Sequence, residues 1–235
     1  APTTQHINMH LPLYFLNGGF GLKFENEEIG AYRQWTIGGS YNQFISLGGE
    51  GVLSTAISGQ IMNRSLDGSL LRSPEGLYND GNLQHNDDLL SEGLQSGTAF
   101  SVGVALYLEW RGLEAGMSAM HLNEPVYDFG FAEGQSNFQE VAHYFMHVGY
   151  RFPAGEILEV YPYALVKSDG VQTQAELALQ LTYAGTFFAG GGLRGWNEDT
   201  MDAALIFAGA RLNPNFTIAY NYDFPLSELQ NAHDG

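Results

Sequence analysis

The chain has 235 residues, no cysteine, and 9 Lys and Arg against 26 Asp and Glu, for a formal net charge of −17. That excess of acid argues against nucleic acid and against a basic membrane-surface binder, and leaves cations or metal ions as electrostatic partners. The missing cysteine removes disulfides, thiolate metal sites and a Cys nucleophile, and no run approaches the ~20 consecutive apolar residues of a membrane helix.

Taken in chain order, the segments alternate between apolar and polar residues with a period of two, broken by Gly, Asn, Asp and Pro turns. The alternation predicts about twelve strands, at residues 4–16, 19–28, 33–46, 50–66, 98–110, 113–124, 138–152, 156–168, 171–184, 186–196, 200–213 and 215–226. In the fifth, Phe100, Val102, Val104, Leu106, Leu108 and Trp110 oppose Ser101, Gly103, Ala105, Tyr107, Glu109 and Arg111. In the seventh, Ala142, Tyr144, Met146, Val148, Tyr150 and Phe152 oppose His143, His147, Gly149 and Arg151. The ninth is the clearest: Ala175, Leu177, Leu179, Leu181 and Tyr183 on one side, Gln172, Gln174, Glu176, Gln180 and Thr182 on the other. The last sets Phe216, Ile218, Tyr220, Tyr222 and Phe224 against Thr217, Asn221 and Asp223.

Such strands, with charge on one parity and an aromatic-rich, lysine-poor composition, are the signature of an all-β, antiparallel up-and-down transmembrane β-barrel. Every neighbouring pair is expected to be a hairpin within a single barrel domain spanning 1–235. The two longest connections, 67–97 and 125–137, fall at one end, and the turns near 17, 48–51, 111–112, 153–156, 184–186 and 213–215 fall at the other. Long loops outside and short turns inside is the outer-membrane pattern, so the first strand enters from the outside. The start at Ala1 and the stop at Gly235 are expected to be cut ends.

Several residues are candidates for chemistry. His6 and His10 share a strand face around Asn8, and His143 and His147 share another, a set that could bind zinc or nickel; polar filling of a lumen is the preferred reading, since no fixed motif or acidic partner accompanies them. Ser118 and His121 lie on opposite parities and no G-x-S-x-G elbow occurs, so hydrolase chemistry is not expected. GGGLRG at 190–195 belongs to a strand and does not form a phosphate cradle. Arg111, Arg151 and Arg194 with Glu109, Glu114 and Glu176 either line a selective pore or form an internal ion-pair network, and the network is preferred. The longest loop carries Glu75, Asp80, Asp87, Asp88 and Glu92 as an acidic external surface; Asp87 and Asp88 beside Asn86 lack the spacing of a calcium loop. No cofactor and no metal are expected.

TAFSVGVALYLEWRGLEAGMSAMHLNEPV at 98–126 resembles a hairpin of the PorP/SprF family of type IX secretion outer-membrane proteins. HYFMHVGYRF at 143–152, LEVYPYALVKSDG after it and IAYNYDFPLSEL at 218–229 are similar to successive landmarks of that family, while 1–97 fits more loosely through APTTQHINMHLPLY. The resemblance implies a 14-stranded barrel in the full chain, with one strand ahead of the APTT phrase and one after DFPLSEL, where this chain instead runs NAHDG. It also implies a non-enzymatic role in export, anchoring or docking of secreted proteins that bear a C-terminal targeting domain. Its partners would be outer-membrane lipid, that client, the translocon and periplasmic lipoproteins. The competing class is a porin or a FadL-like conduit for small or hydrophobic solutes. Residues 67–97 and 125–137 are the candidate contact surfaces, by position and length.

Overall fold

A computed structural model describes residues 2–79, 83–87, 90–129, 138–195, 201–214 and 216–226. These residues form an all-β, antiparallel, up-and-down sheet of 13 strands. Along the path lie β1 (Thr3–Leu13), β2 (Gly18–Ile29), β3 (Tyr32–Ser46), β4 (Gly51–Asp67), β5 (Leu94–Trp110) and β6 (Leu113–Met120). A separate two-stranded hairpin of β7 (Val126–Tyr127) and β8 (Phe138–Gln139) interrupts the order. The path resumes with β9 (His143–Tyr150), beside which β10 (Phe152–Pro153) pairs β11 (Leu158–Ser168), and ends with β12 (Thr173–Tyr183), β13 (Phe187–Arg194), β14 (Ala203–Asn213) and β15 (Phe216–Pro225). No helix among the described residues is long and apolar enough to cross a membrane.

All twelve expected strands are present as sequential neighbours, with shifted boundaries. The sixth stops at Met120 instead of 124, because His121 and Glu124 take positive φ, 56° and 42°, which turns the chain out of the extended region. The seventh does not begin at 138: β8 belongs to the small hairpin and β9 starts at His143, which leaves Ala142 buried and not on the apolar outer row.

The chain packs as two compact units, the first Ala1–Phe44, Thr55–Val104 and Met120–Ala142, the second Ile45–Ser54, Ala105–Ala119 and His143–Gly235. Within the first, the apolar parity is the exposed one: Ile7, Met9 and Leu11 on β1, Ile37 on β3, Ile57 and Ile61 on β4, and Phe100 and Val104 on β5 are all open. On β1 both parities are exposed, while on β3 and β5 the other parity is the covered one, with Thr36 at 3% and Ser101 at 1% exposure. A β-branched or aromatic residue fits the pleat on either face, so this inversion is set by what the side chains meet.

The second unit repeats the inversion. Leu177, Leu179, Leu181 and Tyr183 of β12 stand open, while Ala178 and Thr182 between them are buried. Transfer of such side chains out of water is worth roughly 1.5–3 kcal/mol each, so rows of them on an open face call for an apolar surrounding.

Glycine and aromatic residues pair across the closed face of this unit. Phe207 lies opposite Gly190 and Phe188 opposite Gly209, and a Cβ on either glycine would come within 2.4 Å of the facing ring. The rings therefore fold down over the glycines. Pro162, which cannot donate to a ladder, sits mid-strand in β11 where β9 gives way to β10. The register is the same on both sides of that break, with Gly149 opposite Tyr163 and Phe152 opposite Val160.

Candidate functional site

In the first unit a polar cluster ties the long connection after β6 to the sheet. Arg64 of β4 pairs with Glu140, and its Nε donates to Gln34 Oε1 at 2.8 Å. The guanidinium carbon lies 4.4 Å from the Phe138 ring centroid and 4.8 Å from that of Tyr127, so one cation is held by a carboxylate and two aromatic faces. Tyr127 is fully buried, with its hydroxyl 3.5 Å from both Met62 Sδ and Glu140 Oε1. Burial pushes the Tyr127 phenol well above its ordinary value, and Glu140 adds to that rise while Arg64 opposes it.

At the exit of β6, Asn123 replaces a strand neighbour: its Nδ2 donates to Phe100 O at 2.8 Å and its Oδ1 accepts from Val102 N at 3.0 Å. His121 Nδ1 lies 2.9 Å from Ser101 Oγ. Sequence parity compared His121 with Ser118, whereas its actual serine neighbour comes from β5. With Ser101 at 1% exposure, the pair is positioned to fix the turn.

The connection after β4 is folded on itself around His85, which is 1% exposed. One ring nitrogen lies 2.9 Å from Tyr78 Oη and the other 3.0 Å from Gly68 O, and the Arg72 guanidinium covers the Tyr78 ring at 4.6 Å. The expected acidic surface is open at Glu75, Asp87 and Glu92, while Asp80 and Asp88 lie outside the described residues. His85 carried no signal in the sequence, being a single histidine in a polar stretch.

In the second unit the five expected lumen-lining residues fall into three places. Arg151 Nε donates to Glu114 Oε1 at 2.7 Å, Tyr161 Oη donates to Glu114 Oε2 at 2.8 Å, and the Arg151 guanidinium lies 4.3 Å above the Tyr161 ring. His147 belongs beside this cluster, its ring 5.8 Å from that of Tyr107 and directly over Gly116. Glu176 sits opposite Arg194, whose Nε donates to it at 3.3 Å while Nη2 reaches Asp223 Oδ2 at 2.9 Å. His143 stands apart, on the wall of a polar hollow. Arg111 pairs with Glu50, both exposed. Among the described residues no set of three His, Asp or Glu converges as a metal site; His6 instead meets Glu25 at 3.1 Å and Asn8 at 2.5 Å.

The sheet thus turns apolar rows outward and pairs charge on the other face. The profile of a family described as type IX secretion system membrane protein PorP/SprF matches residues 1–235. The chain belongs to the PorP/SprF family. It is thus a membrane protein associated with type IX secretion, and the PorP/SprF assignment carries with it interaction with other components of that system. A comparison with curated proteins gave no match.

Proposed function

We propose that this chain is a single integral outer-membrane β-barrel that works by binding and not by catalysis, helping to export, anchor or dock secreted proteins bearing a C-terminal targeting domain. The observation that carries the reading is the inverted pattern of exposure, open Leu177, Leu179 and Leu181 around buried Ala178 and Thr182, in a member of this family. Hydrocarbon against the open rows makes them favourable, and lipid then requires every backbone amide to be paired, which closes the sheet into a barrel. The connections after β4 and after β6 both belong to the first unit, and their described residues are braced, the first internally by His85 and the second against β4 by Arg64 with Glu140. Braced loops offer a partner a surface that costs little ordering entropy on binding. These loops would face outward, with outer-membrane lipid around the strands and the client, translocon and periplasmic lipoproteins as protein partners.

The test is affinity isolation of the full-length protein from gently solubilised membranes. Recovery of a secreted protein together with other secretion-system components supports the reading. A barrel that comes away alone and passes sustained ion steps in planar bilayers overturns it in favour of a transporter.

A further inference from the structure

Where β9 begins and β11 ends, the second unit holds a hollow of about 590 Å³. The size falls within the roughly 300–1,000 Å³ of small-ligand sites. Its wall follows the register: Phe145 lies opposite Lys167, and Lys167 opposite Gln174, so three neighbouring strands place an aromatic ring, an ammonium and an amide in one row. Phe145 is the anomaly. The closed parity of β9 otherwise reads His143, His147 and Gly149, and a large apolar ring among these has polar company on every side.

Two of the charges around the hollow, Asp202 and Asp169, already have hydrogen-bond partners. Asp202 Oδ2 accepts from Gln174 Nε2 at 2.6 Å, and Asp169 accepts from the backbone N–H groups of Val171 and Gln172 at 2.9 and 2.7 Å. Among the described residues Lys167 forms no ion pair. A small anion entering would meet Asp169 and Asp202, a small cation would meet Lys167, and His143 adds a ring with polar nitrogens. An apolar ligand would strip water from all four without replacing its hydrogen bonds. What suits the wall is a neutral molecule with donors and acceptors around its rim and an apolar face for the ring.

We propose that this hollow is a saccharide-binding site, with Phe145 as the platform for a sugar ring and Gln174, Asp202, Lys167 and Thr173 as hydrogen-bonding groups for its hydroxyls. The site is independent of the docking role, since none of its residues belongs to the two long connections after β4 and β6.

The test is saturation-transfer NMR on the full-length protein in lauryldimethylamine oxide, a detergent without a sugar headgroup, with maltotriose and chitotriose as probes. Wild type should transfer saturation to at least one of them, and Phe145→Ala should reduce the signal at least fivefold. Thr173→Val, a gentler change, should reduce it at least twofold in protein whose heat-modifiable gel mobility is unchanged. Absence of transfer to both probes overturns the proposal, as does equal transfer in wild type and both variants. Transfer to acetate or methylammonium in place of the sugars overturns it also.

Discussion

Arg64 and Glu140, 76 residues apart in the chain, form an ion pair between two aromatic rings, with side-chain exposures of 16% and 9%. Removing one partner leaves the other charge enclosed and unpaired, so Glu140→Ala is expected to cost about 3 kcal/mol. Arg64→Met combined with Glu140→Leu should cost less than the single change, because no charge is then stranded. Denaturant unfolding of the refolded protein, together with protease cleavage between 121 and 142, checks both. Equal losses for the single and double variants would show that the pair acts only by packing.

His147 and Gly116 make a tighter fit. A Cβ on Gly116 would stand 2.2 Å from His147 Cε1, far inside any non-bonded carbon contact, and the three nearest atoms all belong to the imidazole. Gly116→Ala is therefore expected to destabilise by roughly 1–3 kcal/mol through overpacking. Since a side chain and not backbone stands in the way, His147→Ala in the same chain should recover most of the loss. Unfolding midpoints of the two single variants and the double variant decide the matter.

The strand pattern was legible because alternation survives averaging: Leu177, Leu179 and Leu181 against Gln174, Glu176 and Gln180 need no tertiary knowledge. In β14 the pattern is silent over AALIFAGA, which has no polar residue on either parity. The sites were less legible. Arg151, Arg194 and Glu176 stand out by parity, but which carboxylate meets which guanidinium, and the roles of Tyr161 and Asp223, required the register between strands. Arg64 was passed over because its partner comes from a different connection, and the rings above Gly116, Gly190 and Gly209 depend on which residue lies across the ladder.

Asp169 sits in the turn between β11 and β12, where the backbone N–H groups of Gln172 and Val171 hold its carboxyl below the usual aspartate value of 3.8. A lowered pKa means that the turn gains from the charged form above the unfolded value and loses that gain as pH falls through the folded one. The amide shifts of Val171 and Gln172 should therefore titrate together at acid pH below 3.8. Asp169→Asn, which keeps an acceptor oxygen but cannot titrate, should flatten both curves while leaving the turn intact. Titration at or above 3.8 would remove the basis for the expectation.

Leu179 and Gln180 are consecutive on β12 and face opposite ways, the first 45% exposed and the second half-buried. If hydrocarbon meets the open rows, Leu179→Arg near mid-strand should cost roughly 2–4 kcal/mol, because a guanidinium there has no water and no counter-charge. The same change at Tyr183, by the turn, should cost about 0–1 kcal/mol, since an arginine at that level reaches the interface. Gln180→Arg points to the closed face, where Arg194 and Arg151 already stand among carboxylates, and should be tolerated better than Leu179→Arg. Reversible unfolding from phospholipid bilayers measures all three. A water-soluble sheet would give the reverse order, with the open Leu179 position accepting arginine freely and the closed Gln180 position rejecting it, so the ranking tests the membrane assignment without reference to secretion.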